Sequence, residues 1–391
     1  MSESIVTVTI FDTSLRDGAQ SLPEANQFPP GSKVEVAEHL GALGIGVIEA
    51  GFPRTRGDAE EVREIARIVG NQEYRVHTWQ DGVQINEVAV TPVIAGLSRT
   101  TREDVDVAWN SVHAAKYPRI HTFVSTDAEH ISAKFENKTP EEVLEMGIHA
   151  VRHAKELTME HPGATVEFSA EAASTTDTEY LERVVKAAVD EGADVINLPD
   201  TVGQRNPFWM IQFYDRILGW VMSANQDVTV SAHNHNDLDM ATTNSLSLVM
   251  SAANYARTNG VSVNTQIETT ICGLGERAGN TDVFPLVAGL FKFSDEFSAP
   301  VEWQFNPTRS LLVARSVLAY AGLEVHRQNP IVGNDILVHR SGIHSDGVIK
   351  GGSGIYSPFD PRFWGHEVDA RHEEGKYQGA KGRDYIAAHQ A

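Results

Sequence analysis

Residues 165–201 read TVEFSAEAASTTDTEYLERVVKAAVDEGADVINLPDT. Thr165–Ser169 is a short β-branched and aromatic run, and Val195–Leu198 is a second apolar run. Between them, Glu179–Glu191 spaces its apolar residues three and four apart. A short apolar run, a helical stretch and another short apolar run make a strand–helix–strand unit with parallel strands.

The same rhythm extends in both directions. Val6–Phe11, Val47–Ala50, Val93–Leu97 and Ile120–Val124 read as strands on the N-terminal side. Val228–Ala232 and Thr265–Thr270 follow on the C-terminal side. Helical patterns over Lys33–Leu43, Pro140–Thr158 and Ala241–Thr258 lie between them. Eight units predict an α/β fold, a closed (β/α)8 TIM barrel. The polar stretch 71–91, with Trp79, Asp81 and Gly82, interrupts the rhythm and reads as an inserted hairpin or long loop. Past Phe291 the rhythm stops. A helix over Pro307–Leu323, Gly- and Pro-rich segments to Gly365 and a basic tail around Lys381-Gly382-Arg383 predict a small, mainly helical C-terminal subdomain. The expected division is 1–291 for the barrel and 292–391 for the subdomain.

Composition narrows the function. Among 391 residues, 41% are hydrophobic and 22% charged, enough to bury a large core. The net charge of −21 argues against a nucleic-acid surface, which needs clustered Lys and Arg. No apolar run is long enough for a membrane span, and the first residues lack a signal-peptide pattern. Cys272 is the single cysteine, so no internal disulfide forms. A cytoplasmic location is expected. A polyanionic ligand would need local basic groups or helix N-termini against this acidic background.

Barrel chemistry gathers at the C-terminal ends of the strands. Strand seven ends in His233-Asn234-His235-Asn236-Asp237. Side chains two apart on a strand share a face, so both imidazoles converge as metal ligands do. Asp17, in the loop after strand one, is the natural carboxylate partner, and two His with one carboxylate leave positions open for substrate. Its neighbour Arg16, taken alone, reads equally as half of a surface ion pair. Asn280, at the end of Gly273-Leu274-Gly275-Glu276-Arg277-Ala278-Gly279-Asn280, offers a neutral fourth ligand. On strand five, Glu167, Ser169 and Glu171 share one side, and a carboxylate at a barrel mouth is a general-base candidate. His121 and Thr201 end strands four and six.

Together, DTSLRDGAQ (12–20), EAGFP (49–53), RIHTF (119–123), EFSAE (167–171), LPDTVG (198–203), HNHND (233–237), GLGERAGN (273–280) and SGIHSDG (341–347) resemble the 2-isopropylmalate and homocitrate synthase family of metal-dependent acyl-CoA condensing barrels. The match runs along nearly the whole chain, and RIHTFVSTDAEHISAK and IVGNDILVHRSGIHSDGV look closer to isopropylmalate synthases. The resemblance implies condensation of acetyl-CoA with a 2-oxo acid, 2-oxoisovalerate first, and a divalent zinc, manganese or magnesium ion on Asp17, His233, His235 and Asn280. It implies that Arg16, Glu171, His344 and Tyr356 are catalytic. Gln20, His121, Ser169, Thr201, Gly275 and Arg277 would bind substrate. His344 and Tyr356 would come from the C-terminal subdomain, of the same chain or of its partner in a homodimer.

The chain also departs from the family. Ala19 replaces a usual Glu, and Asp239 replaces a usual Gly. Residues 172–176 lack a usual Arg, and 71–91 are inserted. All four are expected near the mouth, where they would bear on the choice of 2-oxo acid. The missing Arg argues against a dicarboxylic substrate such as 2-oxoglutarate. Isopropylmalate synthases usually continue into a leucine-binding regulatory domain, so no leucine feedback is expected of this chain. A benzylmalate-, citramalate- or homocitrate-type synthase is the alternative. An acyl-CoA lyase is less favoured, because such lyases place a Cys within the glycine loop and Cys272 lies just before it. A non-catalytic metabolite-binding barrel is disfavoured by the surviving Arg16, Asp17, His233, His235 and Glu171.

Overall fold

A computed structural model describes residues 4–55 and 57–373. The Lys381-Gly382-Arg383 tail lies outside the described residues. Strands β1 (Val6–Asp12), β2 (Val47–Gly51), β3 (Tyr74–Gln80), β4 (Val83–Val90), β5 (Val93–Ser98), β6 (Pro118–Ser125), β7 (Thr165–Glu171), β8 (Val195–Asp200), β9 (Thr229–Asn234), β10 (Val263–Thr269) and β11 (Val301–Gln304) form one sheet. Eight of them, β1, β2 and β5 to β10, run parallel in chain order. β10 closes on β1 from Val6↔Val263 to Asp12↔Thr269, so the expected barrel is formed.

Helices α1 (Ala19–Ser21), α2 (Ser32–Leu43), α3 (Asp58–Ile68), α4 (Arg102–Val112), α5 (Ala128–Lys134), α6 (Pro140–Thr158), α7 (Thr178–Asp190), α8 (Pro207–Ala224), α9 (Ala241–Asn259) and α10 (Val283–Lys292) fill the intervals. Their starts follow from local chemistry. Thr139 and Glu142 make a reciprocal capping box before Pro140, and Asp177 accepts the Glu179 and Tyr180 N–H groups. α3 and α7 each bury one apolar stripe, such as Leu181, Val184, Val185 and Ala188 in α7.

The insertion is a hairpin at the floor of the barrel, which corrects its expected place near the mouth. Asp81 and Gly82 have φ of 48° and 76°, and this Asp-Gly turn joins β3 to β4. β3 pairs antiparallel with β11, and β11 pairs parallel with Val6–Val8, the first residues of β1. β1 meets β2 only higher up, at Phe11 and Asp12. The ladder therefore forks at its N-terminal end, where unpaired β1 groups accept β11 and carry the hairpin outward. Trp79 donates from Nε1 to the Phe305 carbonyl at 2.8 Å and packs edge-on against Phe291 and Phe363.

Beyond the barrel, a turn at Pro307–Arg309 leads into α11 (Ser310–Tyr320), followed by α12 (Gly342–Gly351) and two short paired strands, β12 (Val338–His339) and β13 (Arg371–His372). Trp364 is buried against Phe291 and holds this segment to α10. Among the described residues, no helix is long and apolar enough to cross a membrane.

Candidate active site

At the C-terminal ends of the strands, a cavity of about 280 Å³ opens between loops. Arg16, Asp17, Gln20, His121, Ser169, Glu171, Thr201, His233, His235 and Arg277 all line it.

Asp17 sits on a tight turn after β1, where its N–H donates to Thr13 Oγ1. His233 is the second-last residue of β9, and His235 makes a short bridge to Asn280, which brings the glycine loop against the site. His233 Nε2 lies 3.2 Å from His235 Nε2 and 3.5 Å from Asp17 Oδ2. Gln20 and Asn280 each donate to Asp17 at 3.0 Å. A Cβ at Gly275 would come within 2.6 Å of the Asn280 amide, so glycine is required for that approach. Gly275 shapes the loop and does not line the cavity.

These residues fit a divalent ion. The Asp17, His233 and His235 ligand atoms lie within 4.8 Å of one another, all three residues buried. His235 Nδ1 and Asn280 Oδ1 are buried with no hydrogen-bond partner among the described residues. His235 is driven down to about 3 by burial and by its neighbour His233, so it is a neutral imidazole, the form that ligates metals. Burial also opposes charge on His233, but Glu268 overcomes it and raises the imidazole. Glu268 Oε2 lies 2.7 Å from His233 Nδ1 and leaves Nε2 turned to the site, the arrangement that orients ligating histidines.

A second network adjoins the first. Arg16 Nε donates to Glu49 Oε2 at 2.6 Å, and His121 Nδ1 lies 2.7 Å from Glu49 Oε1. His121 Nε2 lies 2.7 Å from Ser169 Oγ, which also accepts from Asn197 at 2.8 Å. Burial of Glu49 is outweighed by Arg16 and His121, which hold its carboxyl below the usual range. Burial opposes charge on His121 too, yet Glu167 and Glu49 raise it to about 9. Glu171, at the end of β7, accepts from Lys134 Nζ at 2.5 Å and from Ser125. Lys134 thus supplies a cation beside Glu171, where the chain lacks an Arg after the glutamate. Arg277 makes two 2.8 Å contacts with Asp237 and a third with the Thr201 carbonyl.

His344 and Tyr356 stand apart. Their rings stack at 4.2 Å on the C-terminal segment, and neither lines the cavity of its own chain. Ala19, Asp239 and residues 172–176 do lie on the mouth-side loops, and Asp239 takes a φ of 57°, a conformation in which glycine is easier. Glu49, Glu268 and Lys134 were not singled out from the sequence. The one sequence signal that could have found Glu268 is strand parity, since it stands two residues beyond Gln266, whose side chain bonds Glu167 and Ser231 inside the barrel.

The HMGL-like family profile matches residues 7–293. The 2-isopropylmalate synthase of Pelotomaculum thermopropionicum is 38% identical over 344 residues, 88% of this chain and 60% of its own length. That of Pyrococcus furiosus is 37% identical over 358 residues, 91% of this chain and 63% of its own. The chain thus spans less than two thirds of the length of these relatives. The HMG-CoA lyase structure from Brucella melitensis superposes with a TM-score of 0.57 at 17% identity, over 81% of this chain and 99% of that one. That likeness is one of fold.

Proposed function

This chain belongs to the HMGL-like family, and from that premise we propose that it condenses acetyl-CoA with a 2-oxo acid, first of all 2-oxoisovalerate, to give 2-isopropylmalate and free coenzyme A. The observation that carries the reading is the convergence of Asp17, His233 and His235 beside Arg16 and Glu171 in one cavity. The names of the two relatives agree with it.

Asp17, His233 and His235, with Asn280 nearby, would hold a divalent zinc, manganese or magnesium ion. Such an ion supplies Lewis-acid polarisation of an oxo group. The chain's own residues do the rest. Glu171 takes a proton from the acetyl methyl group, and the C–H electron pair becomes an enolate. The enolate carbon bonds to the oxo carbon, whose π pair moves to oxygen; that oxygen then gains a proton to become the hydroxyl, and Glu171 gives up the one it took, returning to the carboxylate. Arg16, fixed by Glu49, faces that developing negative charge. Water then adds to the thioester carbonyl, and coenzyme A leaves as the thiol. Gln20, His121, Ser169, Thr201 and Arg277 orient the substrates, with His121 held between Glu49 and Ser169.

The proposal takes 1–291 as the catalytic barrel and 292–391 as an accessory subdomain. It pairs two chains in a cytoplasmic homodimer, so that His344 and Tyr356 of one subunit complete the other's cavity. No nucleic acid or membrane takes part. A lyase reading draws no support from Cys272. Burial, and secondarily Asp282, raise its thiol well above the ordinary value, and it does not line the cavity. The test is product identification by mass spectrometry after incubation with acetyl-CoA, 2-oxoisovalerate and each metal. Formation of 2-isopropylmalate supports the reading. A different alkylmalate would move the substrate, and cleavage without condensation would overturn it.

A further inference from the structure

A second cavity, of about 400 Å³, lies at the floor of the barrel, opposite the catalytic mouth. Its wall runs from Arg119, Val47 and Val93 of the barrel to Ile85 and Val90 of the hairpin and Glu302 of β11. The placement follows from the register. Arg119 is the second residue of β6 and Val93 the first of β5, so both sit at the N-terminal end of the sheet. Strand parity puts Arg119 in the lumen, one layer below His121.

The polar groups of this cavity are incompletely used. Arg119 is 7% exposed. Its Nε donates to Thr165, and its Nη1 donates to Glu167 at 3.0 Å and Gln266 at 2.6 Å. Its Nη2 makes no hydrogen bond among the described residues. Thr91 Oγ1, also on the cavity wall, is buried without a partner. Glu302, next to Thr7 across the β1–β11 pairing, has no ion pair or side-chain hydrogen bond among the described residues. The Thr91 hydroxyl is withdrawn from water and unpaired, which is costly, and the Arg119 Nη2 and Glu302 carboxylate, bonded to no other described side chain, remain open to a ligand in the same cavity, so the pocket is complementary to a molecule that meets all three. A simple anion would meet the Glu302 carboxylate, and a simple cation would meet Arg119. A molecule with both charges answers both, and Val47, Val90, Val93 and Ile85 supply an apolar surface between them.

We propose that the floor cavity binds a small zwitterion of the α-amino-acid class with an aliphatic side chain. Its carboxylate meets Arg119 and Thr91, its ammonium meets Glu302, and its side chain lies against the hairpin. The hairpin supplies one wall of the site through Ile85 and Val90. The site is separate from the catalytic cavity and does not depend on which reaction that cavity runs.

Equilibrium dialysis of the full chain with norvaline, N-acetylnorvaline and norvalinamide tests this. Norvaline should bind, and each blocked derivative should bind roughly tenfold or more weakly, as loss of one charge-assisted contact implies. Glu302→Gln should remove the preference for the free amine and keep that for the free carboxylate. Ile85→Trp, at a half-exposed hairpin position that tolerates a larger ring, should fill the cavity and abolish binding of all three. Circular dichroism verifies that both variants fold. Absence of norvaline binding to the wild type overturns the proposal. So does binding that survives Ile85→Trp, because it then occurs elsewhere, or an amine preference unchanged in Glu302→Gln.

Discussion

Arg16 and Glu49 form a 2.6 Å ion pair beside the metal-ligand cluster, with Glu49 wholly buried. The same carboxylate also holds His121 at 2.7 Å, so one buried anion fixes two cationic groups of the cavity. Removing it strands both. Glu49→Ala should cost roughly 3–5 kcal/mol of unfolding stability, the usual effect of leaving buried charges unpaired. Glu49→Gln, which keeps the shape and loses the charge, should cost less. Urea unfolding of the two variants measures the difference, and equal costs would mean that shape rather than charge is what Glu49 contributes.

Arg16 reaches Asp17 only at 3.6 Å, whereas Glu49 holds it firmly. It should therefore serve the reaction more than the metal. Arg16→Ala should lower kcat by about 10²–10³, the range for loss of one oxyanion donor, with metal content near wild type. Turnover measured beside atomic absorption separates the two, and parallel losses would make Arg16 a support of the metal site.

Glu268 acts through His233. With its Oε2 at 2.7 Å from Nδ1, it fixes the ring and the tautomer. Glu268→Gln should weaken metal affinity by about 10–100-fold, and His235→Ala should weaken it further. Chelator competition gives both values. Adding metal to the wild type should also raise its Tm, and the Glu268→Gln variant should need more metal for the same rise.

Asp282 gives a pH dependence that does not involve the site. It caps α10 by accepting from Phe284 N at 3.0 Å, and burial raises its carboxyl to about 7 despite that bond and one from Asn329. The folded-state value lies above the unfolded one of about 3.9, so the native chain binds the proton more tightly. Its contribution is fully present below the unfolded value and is lost as pH rises towards 7. Asp282→Asn retains a capping oxygen without the charge. It should raise Tm relative to wild type at pH 8 and change it little at pH 4. An equal shift at both pH values would contradict the assignment.

The barrel was legible because each strand is a short apolar run with a helix after it. Parity within those strands was enough to turn Ser169 and Glu171 to the mouth and to aim His233 and His235 together. The partners of these groups were hidden by distance along the chain. Glu268 stands 35 residues from His233, and Glu49 stands 33 from Arg16. Nothing local to TQIETT or EAGFP reveals what those carboxylates face. The Asp81-Gly82 turn carries a hairpin signal, but its attachment through β11 to Val6–Val8 joins segments that only the closed barrel brings together. His344 and Tyr356 were named through resemblance, and within one chain they stack on each other away from the cavity.

The most direct measurement is thiol release from acetyl-CoA with added divalent metal, across 2-oxoisovalerate, pyruvate, 2-oxoglutarate and phenylpyruvate. The account predicts metal-dependent release that is fastest with 2-oxoisovalerate and absent in His235→Ala. Release with none of the four acids, under any of the metals, would contradict the condensing-enzyme reading.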